Sequence, residues 1–162
     1  MWPKVRVGGY RQRRQGKTKP LRQVEPQSCN VAASKVEVAS YPELMDRYGG
    51  TAQRRHMLSG VSRLLELYER SGKDVREVMI YGSFVSEKRT PRDIDVIFHA
   101  HEYFDLTPEQ RSEENEIARA HKIDLIYATP PEKFYCDYIA FATKHGKAVR
   151  IPVSGRKHRA RV

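Results

Sequence analysis

The hydrophobic positions of this chain change period several times, and each change marks an element. Between Thr51 and Ser71, Met57, Leu58, Val61, Leu64, Leu65 and Tyr68 recur at i, i+3, i+4 and i+7. That spacing lines one face of an α-helix, which Thr51 can cap and Gly72 ends. A shorter helix is expected over Tyr41–Tyr48, with Pro42 in its first turn and Gly49-Gly50 after its last. Thr107-Pro108-Glu109-Gln110 opens a third helix that runs to about His121. Its acids Glu109, Glu113, Glu114 and Glu116 sit near the N-terminal half, as the helix dipole prefers. Apolar runs predict strands at Val75–Tyr81, Ile94–His99 and Lys122–Tyr127. Pro130-Pro131-Glu132 opens a last helix, with Phe134, Tyr135, Tyr138, Ile139, Phe141 and Ala142 expected to pack inward and Gly146 to end it. Ala148–Val153 reads as one more extended segment. Val31–Ala39, where Val36 and Val38 alternate with Lys35 and Glu37, reads as a short strand or an extended arm. Helix, strand, strand, helix, strand, helix is an α+β order, and no internal repeat is visible.

The stretch from Ile80 to Phe98 carries the chemistry. An apolar run, Val78-Met79-Ile80-Tyr81, stops at Gly82-Ser83, and a short helix is expected from about Phe84 to Lys88. After Thr90-Pro91-Arg92 comes Asp93-Ile94-Asp95, then Val96-Ile97-Phe98. Alternation along a strand puts Asp93 and Asp95 on one side and Ile94, Val96 and Phe98 on the other. Two carboxylates side by side repel unless a cation lies between them. Mg²⁺ takes oxygen ligands of this kind, as one or two carboxylates plus substrate phosphates. Glycine lets a backbone approach a ligand closely, and backbone N–H groups at such a turn suit a phosphate. Lys88, Arg89 and Arg92 fall between Ser83 and Asp93, where cations could neutralise a triphosphate or pyrophosphate; they serve surface solubility equally well. His99 and His101 have the spacing of a metal pair, but the aspartates already supply ligands. Arg54 and Arg55 lie in a first helical turn, the unfavourable end of the dipole, and read either as a solvated face or as a sign of a nearby anion or partner.

Gly82-Ser83, nine intervening residues and Asp93-x-Asp95 resemble the signature of the polymerase β-type nucleotidyltransferase superfamily, especially its minimal stand-alone members. Asp124, flanked by Ile123 and Leu125, offers the third carboxylate of that pattern. With Tyr41-Pro42-Glu43-Leu44 and the Arg-rich helix start, Ala39 to Ile151 is similar to small uncharacterised bacterial and phage nucleotidyltransferase-like proteins. The resemblance implies a nucleotidyltransferase core built on a small mixed sheet flanked by helices. It implies Asp93, Asp95 and Asp124 as catalytic residues holding Mg²⁺ or Mn²⁺, and Gly82, Ser83, Lys88 and Arg92 as nucleotide-binding. The implied reaction moves a nucleoside monophosphate from an NTP to a hydroxyl on an RNA, tRNA or protein acceptor. Bland alternatives stand beside it: Gly-Ser as a strand-ending turn, and Asp-x-Asp on a solvated edge. A third reading is a catalytically inactive scaffold that binds nucleic acid or a protein partner, of toxin–antitoxin or phage-defence type.

Composition adds two arms to this core. The 162 residues suffice for one domain, and their net charge of +10 is unevenly placed. Residues 1–23 hold eight Lys/Arg and no acid, and residues 144–162 hold seven and no acid. The span 24–143 sets fifteen basic residues against all twenty acids. The expected organisation is a flexible basic arm over 1–30, a nucleotidyltransferase-like domain over 31–151 and a basic tail over 152–162. Arg11, Arg13, Arg14, Lys17, Lys19, Arg156, Lys157 and Arg159 are candidates for contact with RNA or another nucleic acid, and Trp2 and Tyr10 could stack on bases. A merely solubilising role fits the same residues. Cys29 and Cys136 lie far apart and form neither a zinc pattern nor a disulfide framework, as expected in a reducing cytoplasm. No apolar run nears 18 residues, so no membrane segment is expected.

Overall fold

In the computed structural model, residues 35–86, 89–100, 105–128, 135–144 and 146–153 are described. The basic arm, the tail beyond Val153, Lys88, His101 and the Pro130-Pro131-Glu132 segment lie outside them. The described elements run β1 (Val36–Val38), α1 (Tyr41–Tyr48), α2 (Ala52–Arg70), β2 (Val75–Tyr81), a 3-10 turn (Gly82–Val85), β3 (Ile94–Ala100), α3 (Pro108–Ala120), β4 (Ile123–Ala128), α4 (Tyr135–Ala142) and β5 (Ala148–Pro152). The architecture is α+β, a five-stranded mixed sheet with four α-helices. Strand order is β1-β5-β2-β3-β4. The outer pairs β1–β5 and β3–β4 are parallel, and the inner pairs β5–β2 and β2–β3 are antiparallel.

Side-chain oxygens start the helices. Ser40 and Glu43 form a reciprocal capping box on α1, Thr107 and Gln110 do the same on α3, and Thr51 accepts from Arg54 N–H on α2. Gly49 closes α1 with φ −85°, so no left-handed residue is needed there. Gly72, after α2, takes φ +71° in the expected way.

Strand alternation divides the sheet into two faces. Val78, Ile80, Ile94, Val96, Phe98, Ile123, Leu125, Val149 and Ile151 join Leu44, Leu58, Leu64, Leu67 and Tyr68 in the main core under α1, α2 and α3. On the opposite face Met79, Ile97, Ala128 and Ala148 meet Ile139 and Ala142 of α4 in a smaller core. That second face is only partly apolar, and the candidate chemistry lies on it. The expected helix from Phe84 to Lys88 is instead a single 3-10 turn that starts at Gly82 and ends at Val85. Phe84 and Val85 are buried, and their anchoring in the core draws the chain down before a longer helix can form.

Candidate functional site

The site begins with strand register. Tyr81 pairs with Asp95 across the antiparallel β2–β3 pair, and Asp95 pairs with Asp124 across the parallel β3–β4 pair. Directly opposed residues share a face, so Tyr81, Asp95 and Asp124 form one row across three strands. Neighbours of Asp95 along β3, Ile94 and Val96, are buried in the main core. That burial fixes the strand's rotation and turns Asp95 to the α4 side. Asp95 is half-buried and Asp124 exposed. Two sequence-distant carboxylates are thereby placed on adjacent strands, about 4.8 Å apart in backbone spacing.

Gly82 follows Tyr81 with φ +75°, a conformation that favours glycine. A Cβ at this position would collide with Asp95 Oδ2. The Gly82 backbone and the Asp95 carboxylate therefore lie against each other; the positive φ favours glycine at 82, and a side chain there would also displace the Asp95 carboxylate. Ser83 is half-buried, and its carbonyl accepts from Ser86 Oγ at 2.7 Å. Asp93 is half-buried one residue before β3 begins, and Arg89 and Arg92 are exposed.

The connection from Gly82 to Asp93 is held from behind by α2. Arg54 Nη1 donates to Phe84 O at 2.7 Å and to Tyr48 O at 3.4 Å, with its guanidinium 4.8 Å from the Phe84 ring centroid. Gln53 Nε2 donates to Pro91 O at 3.2 Å. Arg55 Nη1 donates to Gly49 O at 2.8 Å. The two arginines that looked misplaced at a helix start thus satisfy carbonyls at the end of α1 and in the 3-10 turn. Arg54 is buried, and that burial draws its pKa below the ordinary guanidinium value. No local pattern reports that Arg54 reaches Phe84 O or that Gln53 reaches Pro91 O, because these partners lie thirty and thirty-eight residues away.

The donor set suits a hard divalent cation. Among the described residues no group of three or more His, Cys, Asp and Glu side chains gathers as a metal cage. What the register supplies is a pair of carboxylates on adjacent strands, Asp95 and Asp124, the number that Mg²⁺ takes where phosphates provide its other ligands. His99 is drawn elsewhere: its Nδ1 lies 3.5 Å from Glu77 Oε1, and Arg150 Nε lies 3.5 Å from Glu77 Oε2. Phe141, expected to pack inward, is instead exposed, with its ring centroid 5.6 Å from that of Tyr81. Ile139 and Ala142 of α4 are buried in the smaller core, with Ala140 packed against it, while Phe141 touches the sheet at Tyr81.

No helix among the described residues is long and apolar enough to cross a membrane. Neither a curated protein nor a solved structure matches the chain. One family model does, over residues 27–152, which takes in every described element. The chain belongs to that family, a family of unknown function (DUF6932).

Proposed function

We propose that this chain is a metal-dependent nucleotidyltransferase of the polymerase β type, moving a nucleoside monophosphate from an NTP to a hydroxyl acceptor. The observation that carries the reading is the Asp95–Asp124 pairing beside Gly82. The motif residues come from three separate chain segments, and the sheet sets them side by side.

Mg²⁺ or Mn²⁺, when bound, would neutralise the triphosphate and sharpen the electrophilicity of its α-phosphorus. Asp95 and Asp124 would hold it, with Asp93 at the mouth of the site. Gly82 and Ser83 would admit the β- and γ-phosphates close to backbone, and Arg92 and Lys88 would balance their charge. The acceptor hydroxyl oxygen forms a bond to the α-phosphorus as the bond from that phosphorus to the bridging oxygen breaks. Pyrophosphate leaves with the electron pair, and Asp124, the more exposed carboxylate, orients the hydroxyl and takes its proton. An RNA, a tRNA or a protein could present that hydroxyl.

The test is transfer of label from each α-labelled NTP, with Mg²⁺ or Mn²⁺, into a lysate containing RNA and protein. Wild type should transfer label and Asp93→Ala/Asp95→Ala should not; nuclease or protease sensitivity of the product then names the acceptor class. A second reading is favoured by the charge of the two arms: an inactive scaffold that binds nucleic acid or a cognate protein. It requires that binding survive the same double substitution.

A further inference from the structure

We infer that Phe141 and Tyr81 form a stacking subsite for the nucleobase of the nucleotide held at Asp95 and Asp124; this rests on the nucleotidyltransferase reading. The row across the sheet runs Asp124, Asp95, Tyr81, and Phe141 leans onto Tyr81 from α4. One end of the row is anionic and the other aromatic. One to two strand spacings, about 5–10 Å, separate them, a reach that a ribose can bridge between phosphate and base.

Phe141 is 39 % exposed, and Val38, the other exposed large hydrophobic residue among those described, lies on the far edge strand β1. Ile139 and Ala142 of α4 are buried in the smaller core, whereas Phe141 stays partly open to solvent at its edge. The Tyr81 ring meets Phe141 edge-on, with an interplanar angle of 67°. That contact steadies Phe141 while part of its surface stays open to solvent. An open aromatic surface beside a phosphate-compatible turn suits a nucleobase, since every base has a π-face. A subsite built this way is tolerant of base identity, because stacking reads no hydrogen-bonding edge.

The test is titration calorimetry of the full chain with Mg²⁺, comparing NTPs with inorganic tripolyphosphate. Wild type, Phe141→Leu, Phe141→Trp and Asp95→Asn are compared. Leucine keeps apolar bulk and removes the π-face, so the fold is preserved while stacking is lost. Phe141→Leu should weaken NTP binding about tenfold and leave tripolyphosphate binding unchanged, and Phe141→Trp should restore NTP affinity. Asp95→Asn should weaken both ligands. Equal NTP affinity in wild type and Phe141→Leu would overturn the subsite while leaving the carboxylate site standing. So would wild-type affinity for tripolyphosphate equal to that for NTPs. Binding of neither ligand by wild type would overturn the functional reading and the subsite together.

Discussion

Glu114 stands on a helix whose neighbouring acids Glu113 and Glu116 reach solvent, yet its own side chain is fully buried. Tyr68 Oη donates to Glu114 Oε2 at 2.8 Å, Arg111 Nη1 donates to Oε1 at 2.7 Å, and Tyr127 Oη lies 2.8 Å from Tyr68 Oη. Burial raises the Glu114 pKa above the ordinary value, against the opposing pull of Tyr68 and Arg111, and burial first, then Glu114, pushes the Tyr68 phenol well up. The folded state therefore holds the Glu114 proton more tightly than the unfolded chain does. Its contribution to stability is full below about pH 4.3, the ordinary glutamate value, and is lost as pH rises through the raised folded value. The melting temperature of the wild type should accordingly fall relative to Glu114→Gln across that window. Parallel melting profiles for the two proteins would contradict this. In the sequence Glu114 was one acid among several that the helix dipole accommodates. Its burial depends on Tyr68 and Tyr127 arriving from other elements, which no local pattern reports. Asp95 was legible for the opposite reason: an acid inside an Ile/Val/Phe run conflicts with its surroundings wherever the strand is placed.

Helix α2 shows how far periodicity carries and where it stops. Its apolar repeat located the helix, its cap and its buried face, because all three depend on neighbours in sequence. Gly60 in its middle had no evident role. A Cβ there would run into the Cβ and Cγ of His121, the C-cap of α3, so the glycine sets how closely the two helices approach. Gly60→Ala should cost about 1–3 kcal/mol, the usual penalty for overpacking, read as a lower midpoint in denaturant; an unchanged midpoint would mean that the helices separate freely. Arg54→Met should cost about 1–3 kcal/mol by leaving the buried Phe84 carbonyl without its donor. Amide exchange should quicken at the 3-10 turn that adjoins the candidate site. Protection that stays as in the wild type would show that the turn holds itself. Strand positions were readable as apolar runs, but strand order was not. The insertion of β5 between β1 and β2 brings together strands from the two ends of the described chain, a long-range pairing that no local pattern reports.

At the scale of the whole molecule, charge is split along the chain: residues 1–23 and 144–162 hold basic residues and no acids, and residues 24–143 carry an excess of acids. If the arms contact RNA, affinity should fall steeply with salt as condensed counterions are released. Replacing Arg11, Arg13, Arg14, Lys17 and Lys19 by serine should flatten that dependence and leave NTP binding intact, as fluorescence anisotropy with a labelled RNA can measure. An unchanged salt slope would remove the N-terminal arm from the binding surface. Composition makes the two basic segments visible at once, since uncompensated charge needs no fold to be recognised. The carboxylate row needed the sheet, because Asp95 and Asp124 meet only through β3–β4 register. The most direct test of that row is calorimetric titration of NTP into wild type, Asp95→Asn and Asp124→Asn, with Mg²⁺ and again with chelator. Binding by the wild type with Mg²⁺ alone is expected, with at least about tenfold loss in each variant, the scale of one missing charged contact, and folds intact by melting temperature. NTP binding that ignores both the metal and the two aspartates would contradict it.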